Sequence, residues 1–226
     1  MDLDLDELVT LLNVTEDKVK SWVESDSIPC YRMHGEYRFN QEEIENWIFN
    51  NKGVLSEERS SEELLENCYL KYGLYKSIYK GFVFSNIEAH DVSDIFRAVC
   101  DRMSENFSLD SQVLSEMLIS REKMMSTGIG GGVAIPHARD FFLPIHYNIV
   151  VVVFLKNPID FKSLDGKLVE TLFFLFACDD RSHLNLLGKI AYLSSDESAR
   201  SFFETKPSKE TFLNFIKSWE GRLNQV

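Results

Sequence analysis

The stretch STGIGGGVAIPH, residues 126–137, decides how the larger part of this chain is interpreted. Its glycines stand where a backbone must turn sharply or approach a ligand closely. It is not a P-loop, because no Gly-Lys-Ser/Thr follows the glycines. The dinucleotide-binding fingerprint also fails, because Val133 takes the place of its third glycine and no clear strand precedes the run. What remains is a histidine, His137, held by a proline after a short apolar strand at the edge of a glycine-rich loop.

The segments around this stretch predict an α/β domain. Apolar residues recur at helical spacing over 92–103 and 113–121, which indicates two amphipathic helices. Two short runs rich in β-branched and aromatic residues, 147–155 and 172–177, are typical of strands buried on both faces. Ser182 then caps a helix with Leu184, Leu187 and Ile190 inside, and a last helix holds Phe212, Phe215, Ile216 and Trp219. Helices that alternate with buried strands form an α/β domain.

Length, charge and cysteine content exclude several classes of protein. A chain of 226 residues predicts two unequal domains, and its net charge of −12 disfavours non-specific adhesion to nucleic acid or anionic lipid. The longest apolar run, 149–155, is far below the roughly 20 residues of a membrane span, and the acidic start is unlike a secretion signal. The four cysteines are far apart without a CxxC pair, which predicts reduced thiols in a cytoplasmic protein rather than a zinc or redox site.

Three side chains of the larger domain could carry chemistry. Neutral imidazole is a competent nucleophile toward phosphorus, so His137 could accept a phosphoryl group, or it could only pack and hydrogen-bond. Arg121 falls on an apolar helical stripe, where it could bind phosphoryl oxygens, or its head group could reach water at the helix end. His183 follows the predicted cap Ser182, where free backbone amides favour an anion, or it is an ordinary surface residue.

Over most of residues 74–223 the chain resembles the fructose/mannitol/nitrogen-regulatory enzyme IIA family of the sugar phosphotransferase system. The run STGIGGGVAIPHA, residues 126–138, matches the family's phosphorylation-site motif STGIG-x-G-[VI]-A-[IV]-PH-[GA] nearly position for position. The dipeptide RE at 121–122 matches the family's RE, and HL at 183–184 matches its second active-site histidine at the head of an apolar helix. Three matches at the family's spacing argue against coincidence.

The resemblance implies a IIA type-2 domain, with a mixed β-sheet flanked by helices, over residues 74–226. It implies that His137 is the phosphoryl acceptor and that Arg121 and His183 flank it and stabilise the transferring group. The family receives phosphate from the phosphocarrier HPr and passes it to an enzyme IIB, ultimately using phosphoenolpyruvate, without a metal or an organic cofactor. We therefore expect His137 to lie at the surface, within reach of protein partners.

A smaller module is predicted over residues 1–52, from helical spacing of apolar residues, capping residues and a turn signal. The predicted elements are a helix over 5–12, a second helix capped by Thr15, a hairpin of strands 30–33 and 36–39 that turns at His34-Gly35, and a third helix opened by a capping box of Asn40 and Glu43. Residues 53–73 are assigned to a polar, charged linker, of which 62–70 could be helical.

The module resembles the excisionase-like, MerR-related winged helix-turn-helix family over residues 3–49. It reads IPCYR at 28–32, YRF at 37–39, EI at 43–44 and a tryptophan at 47, which closely matches the family pattern IP-x-YR-x-x-x-x-YRF-x-x-x-[DE]-[IL]-x-x-W. In that family the second helix enters the major groove of DNA and the hairpin wing touches the backbone. The residues that the resemblance places at DNA are Lys18, Lys20, Ser21, Arg32 and Arg38.

The charge of the module argues against DNA binding. Residues 1–52 carry five basic and twelve acidic side chains, a net charge of −7, and such a surface repels a polyanion. The alternative is a fold kept for protein contact or dimerisation.

The fusion to a helix-turn-helix module, without IIB or IIC sequence, predicts a phosphoryl carrier with a regulatory role. The first alternative is a transcription or interaction regulator whose IIA-like domain docks partners without cycling phosphate; the intact Arg121, His137 and His183 count against it. The second alternative is a transport-dedicated IIA subunit, which would pass phosphate rapidly to a sugar-specific IIB.

Overall fold

The structure, a computed structural model, describes residues 2–12, 14–33, 35–50, 73–107, 109–138 and 147–223. The N-terminal module consists of β1 (Asp2–Leu3), α1 (Leu5–Leu12), α2 (Glu16–Glu24), β2 (Tyr31–Met33), β3 (Glu36–Asn40) and α3 (Gln41–Asn50). The larger region, called the sheet domain below, consists of α4 (Gly73–Lys80), β4 (Val83–Ile87), α5 (Val92–Ser104), α6 (Ser111–Met124), β5 (Gly128–Gly130), β6 (Val133–Ala134), β7 (Ile149–Ile159), β8 (Val169–Phe176), α7 (Asp180–Ser195), α8 (Glu197–Glu204) and α9 (Lys209–Leu223).

The N-terminal module is a helix-turn-helix with a hairpin wing, as predicted. Thr15 caps α2, because its side-chain oxygen accepts a hydrogen bond from the Lys18 amide at 3.3 Å. Strand β3 pairs antiparallel with both β1 and β2. Asn40 Oδ1 accepts from the Glu43 amide at 3.3 Å where α3 begins. His34, in the predicted turn, lies outside the described residues.

The sheet domain contains a five-stranded mixed sheet in the order β4-β7-β8-β6-β5. Strand β7 is parallel to β4 and antiparallel to β8, whereas β6 is parallel to β8 and antiparallel to β5. The prediction of a mixed sheet flanked by helices is therefore confirmed. Strand β7 runs four residues beyond the predicted end at Leu155, because its pairing with β8 continues past an irregularity although residues 156–158 are exposed.

Helices cover both faces of this sheet. Alternate residues of β7 point to opposite faces, so Val150 and Val152 join a core that includes α7 and α9, whereas Val151 and Val153 join a core that includes α5 and α6. Leu114, Leu118 and Arg121 of α6 are buried as predicted. Val113 is 51% exposed, so the buried stripe of α6 is narrower than predicted.

A buried carboxylate ties three helices of the first core together. Glu220 of α9 accepts hydrogen bonds from the amides of Leu74 at 3.1 Å and Tyr75 at 2.8 Å, so it satisfies the first turn of α4. Lys189 of α7 lies 2.7 Å from the same carboxylate. Charge and hydrogen bonding are both compensated, which is what a side chain that is only 1% exposed requires. Helix α7 is thus held at a defined position.

The N-terminal module packs directly on the sheet domain. Helices α1 and α3 contact α7, and the apolar core of the module is continuous with the core on that side of the sheet. The predicted linker, 53–73, falls almost entirely on residues that the structure does not describe, as does the potential helix 62–70. The domain boundaries therefore stay a prediction.

No helix in the part of the chain that the structure describes combines the length and the hydropathy of a bilayer-spanning segment. The described residues also contain no group of three or more His, Cys, Asp or Glu side chains suited to hold a metal ion. Cys30, Cys100 and Cys178 are free thiols, and Cys68 lies outside the described residues. Burial raises the pKa of the Cys100 thiol to about 12, so this side chain stays protonated at neutral pH.

Candidate functional site

The glycine-rich stretch forms a tight hairpin between β5 and β6. Gly130, Gly131 and Gly132 adopt φ values of +80°, +64° and +77°, which residues other than glycine rarely adopt. The carboxylate of Asp165 accepts a hydrogen bond from the Gly131 amide at 2.8 Å and holds the turn. At Gly128 the cause is space, since a Cβ there would lie 2.3 Å from Ser163 Oγ. These glycines therefore serve the turn and its packing.

The hairpin presents His137 at the end of β6, in the interior of the sheet. The Ile135 amide donates to Thr127 O at 3.0 Å, and the Leu175 amide donates to Pro136 O at 2.9 Å. His137 itself forms a parallel bridge with Leu175 of β8. The backbone is thus fixed on both sides of the imidazole. Because β8 leads directly into α7, this register brings the histidine beside the start of α7.

The imidazole of His137 has a defined tautomer. Its Nδ1 lies 2.8 Å from the backbone oxygen of Ile135, and a carbonyl oxygen only accepts hydrogen bonds. Nδ1 therefore carries the proton in the neutral ring, and Nε2 carries the lone pair. The ring centroid of His183 lies 5.1 Å away, in an edge-to-face arrangement. The structure thus brings two of the three predicted residues together.

His183 lies in the first turn of α7, but Asp179 rather than Ser182 caps this helix. The Asp179 carboxylate accepts from the Ser182 amide at 2.7 Å and from the Ser182 hydroxyl at 2.8 Å. The prediction of Ser182 as the cap is wrong because the helix begins at Asp180, so that Ser182 already lies in its first turn. The His183 amide already donates to Asp179 O at 3.0 Å, so it is not a free donor for an anion. An anion bound at the start of α7 would therefore lie beside the Asp179 carboxylate.

The pKa of Asp179 reflects this role. Burial acts to raise the pKa of its carboxyl, but the hydrogen bonds from Ser182 outweigh burial and hold the pKa below the ordinary value. The cap is therefore ionised at neutral pH. Asp179 was accessible to sequence reasoning, since an Asp three residues before Ser182 at the end of a strand is a typical N-cap.

Arg121 and Glu122, at the end of α6, hold the segment that enters the hairpin. Arg121 is 4% exposed and its Nη1 donates to Met125 O at 2.8 Å, which excludes an arginine whose head group reaches water. Glu122 accepts from the Thr127 amide at 3.0 Å and from the Thr127 hydroxyl at 2.5 Å. Thr127 O in turn pairs with the Ile135 amide. A chain of hydrogen bonds thus leads from α6 to the strand that presents the catalytic candidate.

Burial and hydrogen bonding act in opposite directions on the pKa of the Glu122 carboxyl. Burial raises its pKa above the ordinary value, and the hydrogen bonds from Thr127 and Ser126 only partly offset this effect. Sequence reasoning identified Glu122 only as part of the RE dipeptide and did not foresee its anchoring role. Its contact with Thr127 depends on the turn after α6, and no sequence pattern in this segment predicts that turn.

The candidate site is closed in this structure, contrary to the expectation of a surface histidine. His137 is 0% exposed, and Arg121 and His183 are 4% and 8% exposed. Strand β6, which precedes His137, lies between β5 and β8 in the sheet, and α7 packs against β8. A protein that is to contact the imidazole must therefore meet a different arrangement of the surrounding elements.

Three of the predicted DNA-contacting residues, Lys18, Lys20 and Ser21, lie on α2. Lys20 and Ser21 are exposed, and Lys18 Nζ lies 5.9 Å from the centroid of the Trp22 ring. Lys20 Nζ lies 2.6 Å from the Glu16 carboxylate one turn earlier, and this hydrogen bond raises the pKa of Lys20. Lys20 therefore stays protonated at neutral pH, but the Glu16 carboxylate of the same helix neutralises its charge.

The other two, Arg32 and Arg38, lie on the hairpin wing. Arg32 Nη2 donates to the Tyr37 hydroxyl at 2.6 Å, and its guanidinium stacks on the Tyr37 ring. Arg38 lies 3.3 Å from the Glu36 carboxylate and 3.8 Å from that of Asp4. The five residues lie on the elements that the resemblance indicates, and Lys20 and Arg38 lie close to carboxylates of the same module. Contact with DNA stays a prediction.

Comparison with known proteins relates both regions to described families. The family model "Phosphoenolpyruvate-dependent sugar phosphotransferase system, EIIA 2" matches residues 76–219, and the model "Helix-turn-helix domain" matches residues 3–52. The Nitrogen regulatory protein of Pseudomonas aeruginosa is 36% identical over 109 residues, which cover 47% of this chain and 70% of that protein. The Nitrogen regulatory protein of Escherichia coli K12 is 30% identical over 142 residues, which cover 61% of this chain and 85% of that protein.

A solved structure supports the same relationship. The crystal structure of Nitrogen Regulatory Protein IIA-Ntr from Neisseria meningitidis has a TM-score of 0.56 and 27% sequence identity to this chain, and the match covers 63% of this chain and 98% of that one. The family model names EIIA 2, and the solved structure is that of a protein named IIA-Ntr. The chain therefore belongs to the EIIA 2 family of the phosphoenolpyruvate-dependent sugar phosphotransferase system and carries a helix-turn-helix domain at its N-terminus.

Proposed function

We propose that this protein is a phosphoryl carrier that accepts a phosphoryl group from HPr on Nε2 of His137, in a regulatory role coupled to the helix-turn-helix module. The hydrogen bond between His137 Nδ1 and Ile135 O carries the proposal, because it leaves Nε2 with the lone pair that attacks phosphorus. The relatives named nitrogen regulatory protein support regulation rather than transport. The assigned regions are 1–52 for the module, 53–73 for the linker and 74–226 for the IIA domain.

The proposed step is a transfer between two nitrogens. Nε2 of His137 forms a bond to phosphorus as the P–N bond of the donor's phosphohistidine breaks, and the electron pair of that bond returns to the donor's ring. The proton on Nδ1 stays in its hydrogen bond to Ile135 O, so the phosphorylated ring is an imidazolium that carries one positive charge beside the phosphoryl group. The donor's ring, protonated at its other nitrogen before the transfer, leaves as neutral imidazole, so charge and protons balance. Arg121 and His183 stabilise the oxygens of the transferring group, a role that needs positioning more than covalent chemistry.

The phosphoryl group then passes to an enzyme IIB or to a regulatory target. No cofactor enters these steps, because both bonds involved are N–P bonds and no electrons leave the pair of proteins. We place the cycle in the cytoplasm, in keeping with the free thiols Cys30, Cys100 and Cys178.

Labelling with radioactive phosphoenolpyruvate tests the proposal. The full chain is incubated with enzyme I, HPr and the labelled donor, beside His137→Ala and a matched control, His90→Ala, which changes an exposed histidine of the same domain. We expect acid-labile, base-stable label on the wild type and on His90→Ala but not on His137→Ala. Label retained by His137→Ala would refute the assigned site.

The burial of His137 favours a second candidate function, a regulator whose IIA domain docks partners without cycling phosphate. This candidate predicts that HPr binds without transferring label at any concentration. A transport-dedicated IIA subunit instead predicts rapid loss of label to a sugar-specific IIB.

DNA binding by residues 1–52 is the remaining part of the proposal. The exposed Lys20, Ser21 and Arg32 support it, and the net charge of −7 limits it to low ionic strength. Fluorescence anisotropy with a DNA duplex, at low and at moderate salt, measures this binding. Absence of binding at low salt, both before and after phosphorylation, would end the DNA hypothesis.

A further inference from the structure

Helix α7 is buried around its whole circumference near the candidate site. Residues 182–187 are all buried. Successive residues of an α-helix point about 100° apart, so six in a row cover every direction. The sequence predicts a single inner face of Leu184, Leu187 and Ile190, which a sheet alone would cover. The remaining directions are occupied by other helices, among them α1 and α3 of the N-terminal module.

The module also borders the segment that leads from α6 into the hairpin. Asn46 of α3 lines a cavity of about 640 Å³ together with residues of the α6–β5 connection, among them Glu122, Met125 and Ser126. Its Oδ1 is buried, and no donor in the described part of the chain hydrogen-bonds to it. Helix α3 therefore contacts α7, which carries His183, and borders a cavity that residues of the α6–β5 connection also line.

This position bears on phosphoryl transfer from a protein donor. Such a donor must bring its phosphorylated side chain to about 3–3.5 Å from the attacking nitrogen, in line with the bond that breaks. The acceptor His137 has no exposed surface, and α7, which carries the neighbouring His183, is covered in part by α1 and α3. A donor protein and the docked module therefore compete for the same side of the sheet domain.

We propose that the N-terminal module is a cover for the phosphorylation site: α1 and α3 dock on α7 and exclude the donor, and His137 is phosphorylated only from the undocked state. This inference rests on the proposed function. Charge makes the coupling reciprocal, because phosphorylation adds net negative charge beside a module of net charge −7 and disfavours redocking. Phosphorylation thereby frees the helix-turn-helix.

Two variants of Asn46 shift the docking equilibrium in opposite directions without touching the phosphorylation residues. Asn46→Leu removes the unsatisfied acceptor and adds apolar surface next to Met124 and Met125, so it favours the docked state. Asn46→Asp places a carboxylate in a cavity that Glu122 and Asp160 already line, so it favours the undocked state. Since labelling proceeds from the undocked fraction, we expect Asn46→Leu to slow labelling about tenfold and Asn46→Asp to accelerate it.

The experiment measures two quantities on the full chain. Hydrogen exchange of the α3 and α7 amides, without any phosphoryl donor, reports docking, and the amides of α2 report that the module stays folded. The initial labelling rate, with enzyme I, HPr and radioactive phosphoenolpyruvate, reports access to His137. The cover is supported if Asn46→Leu has the highest amide protection and the slowest labelling, and Asn46→Asp has the lowest protection and the fastest labelling, with the wild type between them.

Equal labelling rates despite different protection would overturn the cover and leave the proposed function standing. Protection that is unchanged in both variants would also overturn it, because position 46 would then not belong to a docked interface. If neither the wild type nor Asn46→Asp takes up label, the proposed function itself fails, and the cover fails with it.

Discussion

In the sheet domain, the candidate residues His137, Arg121 and His183 are buried and bound into a network of backbone hydrogen bonds. In the N-terminal module, the candidate cations lie at or near the surface, and Lys20 and Arg38 are paired with carboxylates of their own module. Buried groups act through position, since small displacements change strong interactions. Surface groups act through net charge, which salt screens. Substitutions should therefore have large effects in the first region and small, salt-dependent effects in the second.

The largest effect is expected for Arg121→Ala. The loss of a guanidinium that stabilises the transferring oxygens should slow labelling of His137 about 10²- to 10³-fold. The loss of the hydrogen bond to Met125 O should lower the free energy of unfolding by about 1–3 kcal/mol. Labelling rates and urea unfolding measure the two effects. Arg121→Lys, which keeps the charge without the planar fork, should fall between wild type and Arg121→Ala. If the labelling rate of Arg121→Ala falls only in proportion to the fraction of the variant that is unfolded, Arg121 has a structural role and no role in the transfer.

A smaller effect is expected for Asp179→Ala, which removes the cap of α7. Its free energy of unfolding should fall by about 1 kcal/mol at neutral pH. Because the pKa of Asp179 is lowered in the folded state, this stabilisation is present above its ordinary value of 3.8 and is lost as the pH falls through the lowered pKa. Urea titrations at about pH 7 and about pH 3 should show the difference between variant and wild type shrink in acid.

Asp196→Ala is the matched control, because Asp196 caps α8 in the same way and its pKa is also lowered. Both variants should lose similar stability. Only Asp179→Ala should also slow labelling, since the helix start that it loosens carries His183. Equal labelling rates in the two variants would show that the position of His183 does not limit the transfer.

The smallest effect is expected for Glu36→Gln in the module. Removal of this carboxylate breaks the shorter of the two ion pairs of Arg38 given above and leaves the pair with Asp4, so it should raise affinity for a DNA duplex by only about two- to fivefold at low salt, with no difference at high salt. Fluorescence anisotropy measures the affinity. The control Glu116→Gln makes the same change of net charge on the exposed side of α6 and should leave affinity unchanged. An equal gain in both variants would assign the effect to total charge rather than to the wing.

Local patterns predict most of the helices and both central strands, because capping and apolar periodicity are properties of neighbouring residues. Thr15 and Asn40 cap their helices where the sequence places them. Strand β5 escapes prediction because Gly128–Gly130 has little side-chain pattern and becomes a strand only by pairing with β6. The cap of α7 is misplaced by three residues because Asp179 and Ser182 both suit the position, and the end of β8 decides between them.

The order of amino acids is enough to establish the IIA and helix-turn-helix regions and to single out His137, Arg121 and His183, because motifs and spacing are local. Only the tertiary structure shows that the imidazole is closed off, that Glu122 and Asp165 hold the hairpin, and that α1 and α3 rest on α7. These features depend on which surfaces meet across long stretches of chain, and periodicity within a segment does not specify its partner.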